Sequence, residues 1–442
     1  MEYKRVLKFG GTSVGSAKRM KAVAELISGD ETPKVVVLSA MSGTTNALLE
    51  IAERLRGGER QEAMERIRAM EVQYLNVADE LLAASAGARR AKTFVEGCFD
   101  RLRSFVREEY HPRQEKEIAA LGEILSTTLM HEYLTEQGRR AFLAPALDFM
   151  RVDKDGEPDY FYIKQSLQRL LGSPEAGALV ITQGFICYNA AGEVDNLKRG
   201  GSDYSAAIIG CVLRVEEIQI WTDIDGMRDN DPRYAERTRA VRSLSFDEAA
   251  ELAYFGAKIL HPASIQPAKR ARIPVRLKNT LNPVDEGTLI TEETITGDFK
   301  AVAAKDGITA IKIKSNNMLL AYGFVRKVFE VFEAWKTPID TIVTSEVAIS
   351  LTIDDTRHIQ QITTELERYG AIEVESGLSI VCIVGDFRAE RPGLVARALQ
   401  ALAGIPVRVV SYGASEHSVS LLVKQEAKQA ALVALGCALF ES

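Results

Sequence analysis

The sequence has little of what marks several common classes of protein. Its 442 residues include five cysteines, which are scattered and form no Cys-x-x-Cys pair, so we expect free thiols in a reducing compartment and no zinc site. No apolar stretch approaches the ~18 residues that a membrane-spanning helix needs, and the first residues lack the apolar core of a signal peptide. A formal net charge of −6 argues against nucleic acid as a partner. We therefore expect a cytoplasmic protein that binds neither nucleic acid nor a membrane.

Two common nucleotide-binding motifs, Gly-x-x-x-x-Gly-Lys-Ser/Thr and Gly-x-Gly-x-x-Gly, are also absent. Three other segments place small residues beside a charge: residues 8–13 (Lys-Phe-Gly-Gly-Thr-Ser), 199–203 (Arg-Gly-Gly-Ser-Asp) and 255–258 (Phe-Gly-Ala-Lys). Glycines let backbone N–H groups approach phosphate oxygens, while lysine and arginine neutralise the phosphate charge. This set is suited to holding a polyphosphate against an anionic acceptor, and it favours phosphoryl transfer.

Strands and helices are predicted to alternate over residues 1–295. Residues 34–39 (Lys-Val-Val-Val-Leu-Ser) have the β-branched run of a buried parallel strand. Residues 46–140 are predicted to be largely helical, with breaks at 56–58, 85–87 and 111–112. Because such alternation implies a mainly parallel sheet covered by helices on both faces, we expect an α/β domain here.

The remaining residues, 296–442, have a different pattern. Two segments, 308–353 and 378–423, repeat the order strand, loop, helix, strand, turn, strand, and Ser-Glu-Val-Ala-Ile-Ser-Leu at 345–351 is echoed by Ser-Glu-His-Ser-Val-Ser-Leu at 415–421. Chance similarity between two α+β halves is the alternative. We interpret the pattern as a duplicated α+β module, at about 308–375 and 378–440, and leave open whether the two copies are interleaved.

Several charged residues are candidates for the site, and each has a purely structural alternative. Lys8 ends a buried strand, where its charge needs an anion, although the glycines after it can also form a simple tight turn. Arg199 suits a two-pronged grip on a carboxylate, whereas Asp203 alone can be explained as a helix cap. Glu123 lies on the apolar face of a helix, where it would meet either a substrate ammonium or an arginine. Lys258, near a helix end, can simply be solvated.

With these residues in place, the chain resembles the aspartokinases, members of the amino acid kinase superfamily, and in particular the monofunctional lysine-sensitive type. The resemblance covers essentially the whole length and rests on six segments in order: residues 8–14, 43–46, 181–185, 199–203, 221–223 and 255–262. It implies a catalytic amino acid kinase domain over 1–295, with residues 46–140 on the substrate side. It also implies two ferredoxin-like ACT modules over 296–442, one interrupted by the other.

The resemblance implies a reaction and its cofactors. Aspartokinases transfer the γ-phosphoryl group of MgATP to the side-chain carboxylate of L-aspartate, giving 4-phospho-L-aspartate in the first step of lysine, threonine and methionine biosynthesis. ATP and Mg²⁺ are therefore expected, without a metal site made of protein side chains. Since a carboxylate with an unperturbed pKa of about 3.9 is ionised at neutral pH, no general base is needed.

The resemblance also implies roles for individual residues. Lys8 and Asp203 are expected to be catalytic, with Asp203 orienting Lys8. The expected substrate-binding residues are Ser39, Thr45, Glu123, Arg199 and Ser202. The expected nucleotide-binding residues are Lys8, Gly10, Gly11, Thr222, Asp223, Arg228, Arg233, Lys258 and Ile259. The expected residues for allosteric lysine are Met318, Gly323, Phe324, Val325, Asp340, Thr344, Ser345 and Glu346, in a homodimer formed through the ACT region.

Other functions stay open at this stage. A related kinase acting on glutamate, acetylglutamate or UMP would share the fold, and a non-catalytic amino-acid sensor would keep the scaffold without the reaction. Arg199 and Glu123 argue for a free amino acid with both a carboxylate and an ammonium group, which UMP lacks. The effector is expected to be lysine, with threonine or no effector as alternatives. Ala321 stands where relatives commonly have serine, and Arg228 where they often have tyrosine.

Overall fold

A computed structural model of the chain describes residues 2–83, 85–172, 177–197, 200–235, 237–256, 260–293, 297–315, 322–388 and 390–440. The described strands are β1 (Arg5–Phe9), β2 (Lys34–Leu38), β3 (Ala141–Ala144), β4 (Leu179–Gln183), β5 (Ile186–Tyr188), β6 (Val194–Asn196), β7 (Glu217–Thr222), β8 (Ser243–Ser245), β9 (Val275–Asn279), β10 (Thr288–Thr291), β11 (Phe299–Lys314), β12 (Thr341–Thr344), β13 (Ala348–Ile353), β14 (Ala371–Gly385), β15 (Val407–Ser411) and β16 (Ser418–Lys424). The described α-helices are α1 (Ala17–Ser28), α2 (Thr44–Arg56), α3 (Arg60–Leu81), α4 (Ala86–Arg107), α5 (Pro112–Glu136), α6 (Tyr160–Leu171), α7 (Gly201–Leu213), α8 (Phe246–Tyr254), α9 (Gln266–Ala271), α10 (Phe324–Ala334), α11 (Ile359–Leu366), α12 (Leu394–Ala401) and α13 (Lys428–Phe440).

The chain divides into two compact units that do not coincide with the predicted split at residue 295. Unit 1 comprises Met1–Met227 with Ile259–Thr294, and unit 2 comprises Arg228–Lys258 with Ile295–Ser442. Residues 228–258 group with the C-terminal part because side chains there find their partners in it. Asn230 Nδ2 donates to Leu432 O at 2.8 Å, and Tyr234 packs against the α12–α13 core.

Unit 1 is built on a mainly parallel sheet, as predicted. Its strands lie in the order β3-β4-β2-β1-β7-β9-β10, and the neighbouring pairs run parallel up to β9, after which β10 is antiparallel. Every residue of β2 is buried, as expected of a central parallel strand. The carboxyl ends of β4, β2, β1 and β7 are level, since Gln183 pairs with Leu38, Leu38 with Phe9, and Phe9 with Trp221.

The helical region between β2 and β3 forms one layer, whose buried side chains share an apolar core with β1, β2 and α1. Its breaks fall between α2 and α3, α3 and α4, and α4 and α5. Each overlaps its predicted position, although Ala86 and Gly87, predicted to lie in the second break, begin α4. At the last break His111 caps α5 in a capping box with Gln114, and Pro112 occupies the first turn, where its missing N–H costs nothing. Buried aromatic residues such as Tyr74 and Phe99 join this layer to residues of β1 and β2.

Helix α7 begins earlier than the sequence suggested. Asp203 was a candidate cap, but the helix runs from Gly201 and its N-cap is Gly200 at φ +74°. This backbone conformation favours glycine because it has no Cβ. Asp203 therefore lies inside the first turn of α7, and its carboxylate is available for another partner.

Unit 2 contains an antiparallel sheet in the order β12-β13-β11-β14-β16-β15. The long strands β11 and β14 are neighbours in the middle of this sheet, and their residues contribute to two separate apolar cores. One core includes Ile311 and Ile313 with α10 and α11, and the other includes Val302 and Val381 with α12 and α13. Since the first part of β11 packs with the C-terminal elements, the C-terminal α+β half begins before the other half and is interrupted by it.

The described helices include none that is both long enough and apolar enough to cross a membrane.

Candidate active site

A cavity of about 360 Å³ opens at the level carboxyl ends of the parallel strands in unit 1. Ligands of open α/β sheets bind at this edge. Its walls are the loops that follow β1, β2 and β4, together with parts of α2, α5 and α7. The lining residues are Lys8, Gly11, Ser39, Ala40, Met41, Ser42, Gly43, Thr45, Asn46, Glu123, Phe185, Gly200, Gly201, Ser202 and Asp203.

The cationic group of the cavity is Lys8, and its partner is Asp203. The Lys8 Nζ atom lies 2.8 Å from Asp203 Oδ1, with both side chains mostly buried. This pair joins the end of β1 to the first turn of α7. Gly11 permits close approach, since a Cβ there would lie 2.8 Å from Ala40 O, whereas a Cβ on Gly10 would be in ordinary contact with Lys8 Nζ at 3.6 Å.

Two helices begin at the cavity wall. The N-cap of α2 is Gly43 and that of α7 is Gly200, both with positive φ and neither with a side chain that could cap the helix. The first N–H groups of a helix have no partner within it, and the helix dipole favours an anion there. Together with Lys8, these two N-termini make this edge of the cavity suitable for phosphate or carboxylate groups.

A second buried carboxylate of the cavity, besides Asp203, is that of Glu123 on α5. The side chain is 3% exposed, and its Oε1 accepts a hydrogen bond from Ala40 N at 3.2 Å. Its Oε2 has no hydrogen-bond partner among the described residues, and the described ion pairs include none to an arginine. Burial raises the pKa of Glu123 to about 8, although the Ala40 bond and the charge of Lys8 oppose the shift. Among the described residues, the site thus contains a carboxylate with no ion-pair partner.

The remaining predicted substrate and nucleotide residues fall in three groups. Ser39, Thr45 and Ser202 line the cavity, whereas Arg199, Lys258 and Ile259 lie outside the described residues. Thr222 ends β7 and Asp223 follows it on the same edge, but neither lines the cavity. There, Thr222 O accepts from Thr280 N at 2.8 Å.

The predicted nucleotide residues Arg228 and Arg233 belong to unit 2, and both have local partners. Arg228 donates to Thr238 through Nε at 2.6 Å and Nη2 at 2.8 Å. Arg233 Nη2 lies 2.6 Å from Asp231 Oδ2, with 75% of the arginine side chain exposed. A phosphate would have to draw each guanidinium away from these local bonds.

Several lining residues, above all Ala40 and Phe185, were not among the predicted site residues. Ala40 contributes its backbone N–H, which no side-chain pattern shows. Phe185 has φ +68°, unusual for a residue with a bulky side chain, and its N–H donates to Ser205 Oγ at 3.0 Å. Only their position in the sequence could have identified them, because Ala40 follows β2 and Phe185 follows β4 at the carboxyl edge of the sheet.

The described residues predicted to bind an effector lie in the half of unit 2 that contains α10, β12 and β13, while Met318 lies outside the described residues. Gly323 caps α10 at φ +79°, Phe324 packs into the core, Val325 is 42% exposed, and Thr344, Ser345 and Glu346 are exposed. Asp340 differs because its Oδ1 is already held by Tyr254 OH at 2.6 Å and Lys305 Nζ at 2.9 Å. An effector's ammonium group would compete with Lys305 for this carboxylate.

The fold and the cavity together define an amino acid kinase. Residues 4–279 match the amino acid kinase family, and residues 381–439 match an ACT domain. The chain belongs to the amino acid kinase family.

Within that family the relatives are aspartokinases. The chain is 34% identical to the lysine-sensitive aspartokinase 3 of Escherichia coli over 99% of both chains. The structure of E. coli aspartokinase III in complex with aspartate and ADP (R-state) has 33% identity and a TM-score of 0.83, covering 99% of this chain and 100% of that one. The structure of that enzyme with lysine and aspartate (T-state) has a TM-score of 0.79 at 33% identity and covers 99% of each chain. The expected fold and family are confirmed.

We predict that Glu123→Gln stabilises the protein in a pH-dependent way. The pKa of Glu123 is about 8 in the folded protein and near 4.5 when unperturbed, so the folded state holds a proton that the unfolded state releases between these values. Wild-type stability therefore falls as the pH rises from 4.5 to 8, and glutamine removes this loss. Thermal unfolding of both proteins from pH 5 to pH 9 should show a difference in Tm that grows up to about pH 8 and then levels off. A difference that is constant with pH would contradict the assignment.

Proposed function

We propose that the protein is an aspartate kinase that transfers the γ-phosphoryl group of MgATP to the side-chain carboxylate of L-aspartate, the first step of lysine, threonine and methionine biosynthesis. One observation carries the proposal: a single cavity contains both the Lys8 ammonium and the buried carboxylate of Glu123. The first suits a phosphoryl group and the second suits the ammonium of an amino acid. The aspartokinase relatives agree with this choice of substrate.

At the phosphoryl end, the site supplies positive charge and alignment. Lys8, held by Asp203, neutralises charge that develops on the transferred group, and Gly10 and Gly11 let the backbone approach the phosphates. Thr222, Asp223, Arg228, Arg233, Lys258 and Ile259 complete nucleotide binding in this proposal. Mg²⁺ enters with ATP as MgATP and is held chiefly by phosphate oxygens and water, as is usual for this ion.

At the amino-acid end, Glu123 binds the α-ammonium group, while Arg199 binds the α-carboxylate, and Ser39, Thr45 and Ser202 contact the rest of the substrate. An ammonium beside Glu123 would favour its ionised form, so that binding releases the proton that the free carboxyl holds below its raised pKa. The attacking side-chain carboxylate of aspartate is already ionised, and no general base is needed.

The competing functions differ in the group that the acceptor would place beside Glu123. The α-nitrogen of acetylglutamate is acylated and carries no charge, so this acceptor offers Glu123 no cation. Glutamate keeps the ammonium but places its acceptor carboxylate one methylene further away. A non-catalytic sensor would have no need of the Lys8–Asp203 pair.

The direct test is to trap the acyl phosphate. The protein is incubated with MgATP and hydroxylamine and with aspartate, glutamate or acetylglutamate in parallel, and the hydroxamate is measured. We expect hydroxamate from aspartate well above the amounts from the other two acceptors. Preferential reaction of glutamate or acetylglutamate would favour a related kinase, and no product from any acceptor would favour the sensor.

Replacing Lys8 tests the phosphoryl end of the site. Lys8→Ala should lower kcat more than about tenfold, since the ammonium interacts most strongly with the transition state. The control is Lys18→Ala, which changes an exposed lysine on α1 and should leave kcat unchanged. Circular dichroism of both variants checks the fold, because Asp203 loses its partner in Lys8→Ala. Normal turnover in a folded Lys8→Ala enzyme would refute the role of Lys8.

We further propose that lysine is the allosteric effector and that the protein is a homodimer through the ACT region. The E. coli relative is lysine-sensitive and was crystallised with lysine, which supports the effector. For the dimer, unit 2 exposes apolar side chains along strands β12, β14 and β15: Val343 is 37% exposed, Val374 48% and Val410 39%. Strands β12 and β15 are the two edges of this sheet, and exposed apolar side chains on edge strands are typical of a surface that pairs with another copy.

Replacing Glu346 tests the effector site. Glu346→Ala should relieve inhibition by lysine at least several-fold, with kcat and the KM for aspartate little changed, because the residue belongs to unit 2 and not to the catalytic cavity. Glu367→Ala, at another exposed position of the same half, is the matched control, and lysine should inhibit it as it inhibits the wild type. Full inhibition of Glu346→Ala would show that the effector binds elsewhere, and threonine assayed in parallel separates the alternative effector.

A further inference from the structure

Helix α5 is tied to the ends of two strands by buried hydroxyl and amide groups next to Glu123. Ser126 Oγ donates to Ser39 O, beyond the end of β2, at 2.8 Å. At the end of β4, Gln183 Nε2 donates to Thr127 Oγ1 at 2.7 Å. Ser126 and Thr127 are fully buried, and Gln183 is 4% exposed.

Both hydroxyl groups also contact the backbone of Glu123. Thr127 Oγ1 donates to Glu123 O at 2.8 Å, and Ser126 Oγ lies 3.1 Å from the same oxygen. The turn of α5 that carries Glu123 is therefore held from its own C-terminal side by residues that also bind the strands. The other end of the Gln183 amide is fixed as well, since its Oε1 accepts from Ala146 N at 2.7 Å.

Packing on the other side of Glu123 is equally tight. A Cβ on Gly122 would lie 2.8 Å from the Ala40 side chain, so glycine lets α5 come close to the loop after β2. At this distance Ala40 N reaches Glu123 Oε1. The carboxylate is thus placed by the distance between α5 and two strand ends. Its Oε2, which has no hydrogen-bond partner among the described residues, is left for a ligand.

We propose that Ser126, Thr127 and Gln183 are positioning residues, which hold the Glu123 carboxylate at the depth in the cavity where it meets the ammonium group of the acceptor amino acid. This inference rests on the proposed function and adds specific residues to it. None of the three lines the cavity, so each acts through Glu123. Because buried hydrogen bonds between rigid elements define distances more sharply than apolar packing does, loosening them should weaken binding of the amino acid and not of the nucleotide.

The test compares adjacent threonines on α5. Thr127→Val removes the link to Gln183, and we expect the KM for aspartate to rise about 3- to 10-fold, as for the loss of a buried hydrogen bond, with kcat and the KM for MgATP within about twofold. Thr127→Ser keeps the hydroxyl and should restore the KM. Thr128→Val is the matched control, since the Thr128 hydroxyl donates to Ile124 O of its own helix at 2.8 Å, and it should behave as wild type. Ser126→Ala provides a second variant if Thr127→Val does not fold.

A double-mutant cycle with Glu123→Gln separates positioning from general stability. If Thr127 acts through Glu123, Thr127→Val should have no further effect on aspartate KM in the Glu123→Gln background. An equal effect in both backgrounds, or a fall in Tm and kcat with unchanged aspartate KM, would overturn the proposal. These outcomes require an active wild-type enzyme. A wild type that forms no aspartyl hydroxamate and binds no aspartate by calorimetry would instead refute the proposed function, and the positioning role with it.

Discussion

The site depends on the level ending of four parallel strands. Gln183, Leu38, Phe9 and Trp221 stand in one row across β4, β2, β1 and β7, so the loops that follow leave the sheet at one height. Backbone bonds continue past the row: Ser39 N donates to Phe9 O at 3.1 Å. Side chains that are far apart in the sequence therefore meet around one cavity.

Charge is then distributed unevenly around this edge. Lys8 and the N-termini of α2 and α7 bring positive charge to one part of the cavity, while Glu123 brings a buried carboxylate to another part. Lys8 is stabilised by Asp203, but Glu123 has no such partner among the described residues, and its pKa is raised accordingly. A group that is costly for the folded protein is often retained because it acts on a ligand, and an amino acid with an ammonium group suits this carboxylate.

Unit 2 is organised differently from unit 1, because two of its strands are shared between two apolar cores. Strands β11 and β14 run through both α+β halves and are shared by two separate apolar cores. Asp340 links β12 to Lys305 on β11 and to Tyr254 at the end of α8. The pairing of residues 228–258 with this unit means that part of the predicted kinase domain shares its core and its hydrogen bonds with the ACT region.

Local sequence was sufficient for the elements and for the chemistry. The β-branched run of β2, the glycine and proline breaks between helices, and Lys8 beside paired glycines are local patterns that physical rules interpret directly, and the order of six motifs identified the family. Tertiary structure alone decided the unit to which residues 228–258 belong and the start of α7 at Gly201. It also decided that Asp203 pairs with Lys8 and that Ala40 N and the Ser126–Thr127–Gln183 bonds hold Glu123. The reason is that these features depend on distances between segments far apart in the chain, which no local pattern of residues contains.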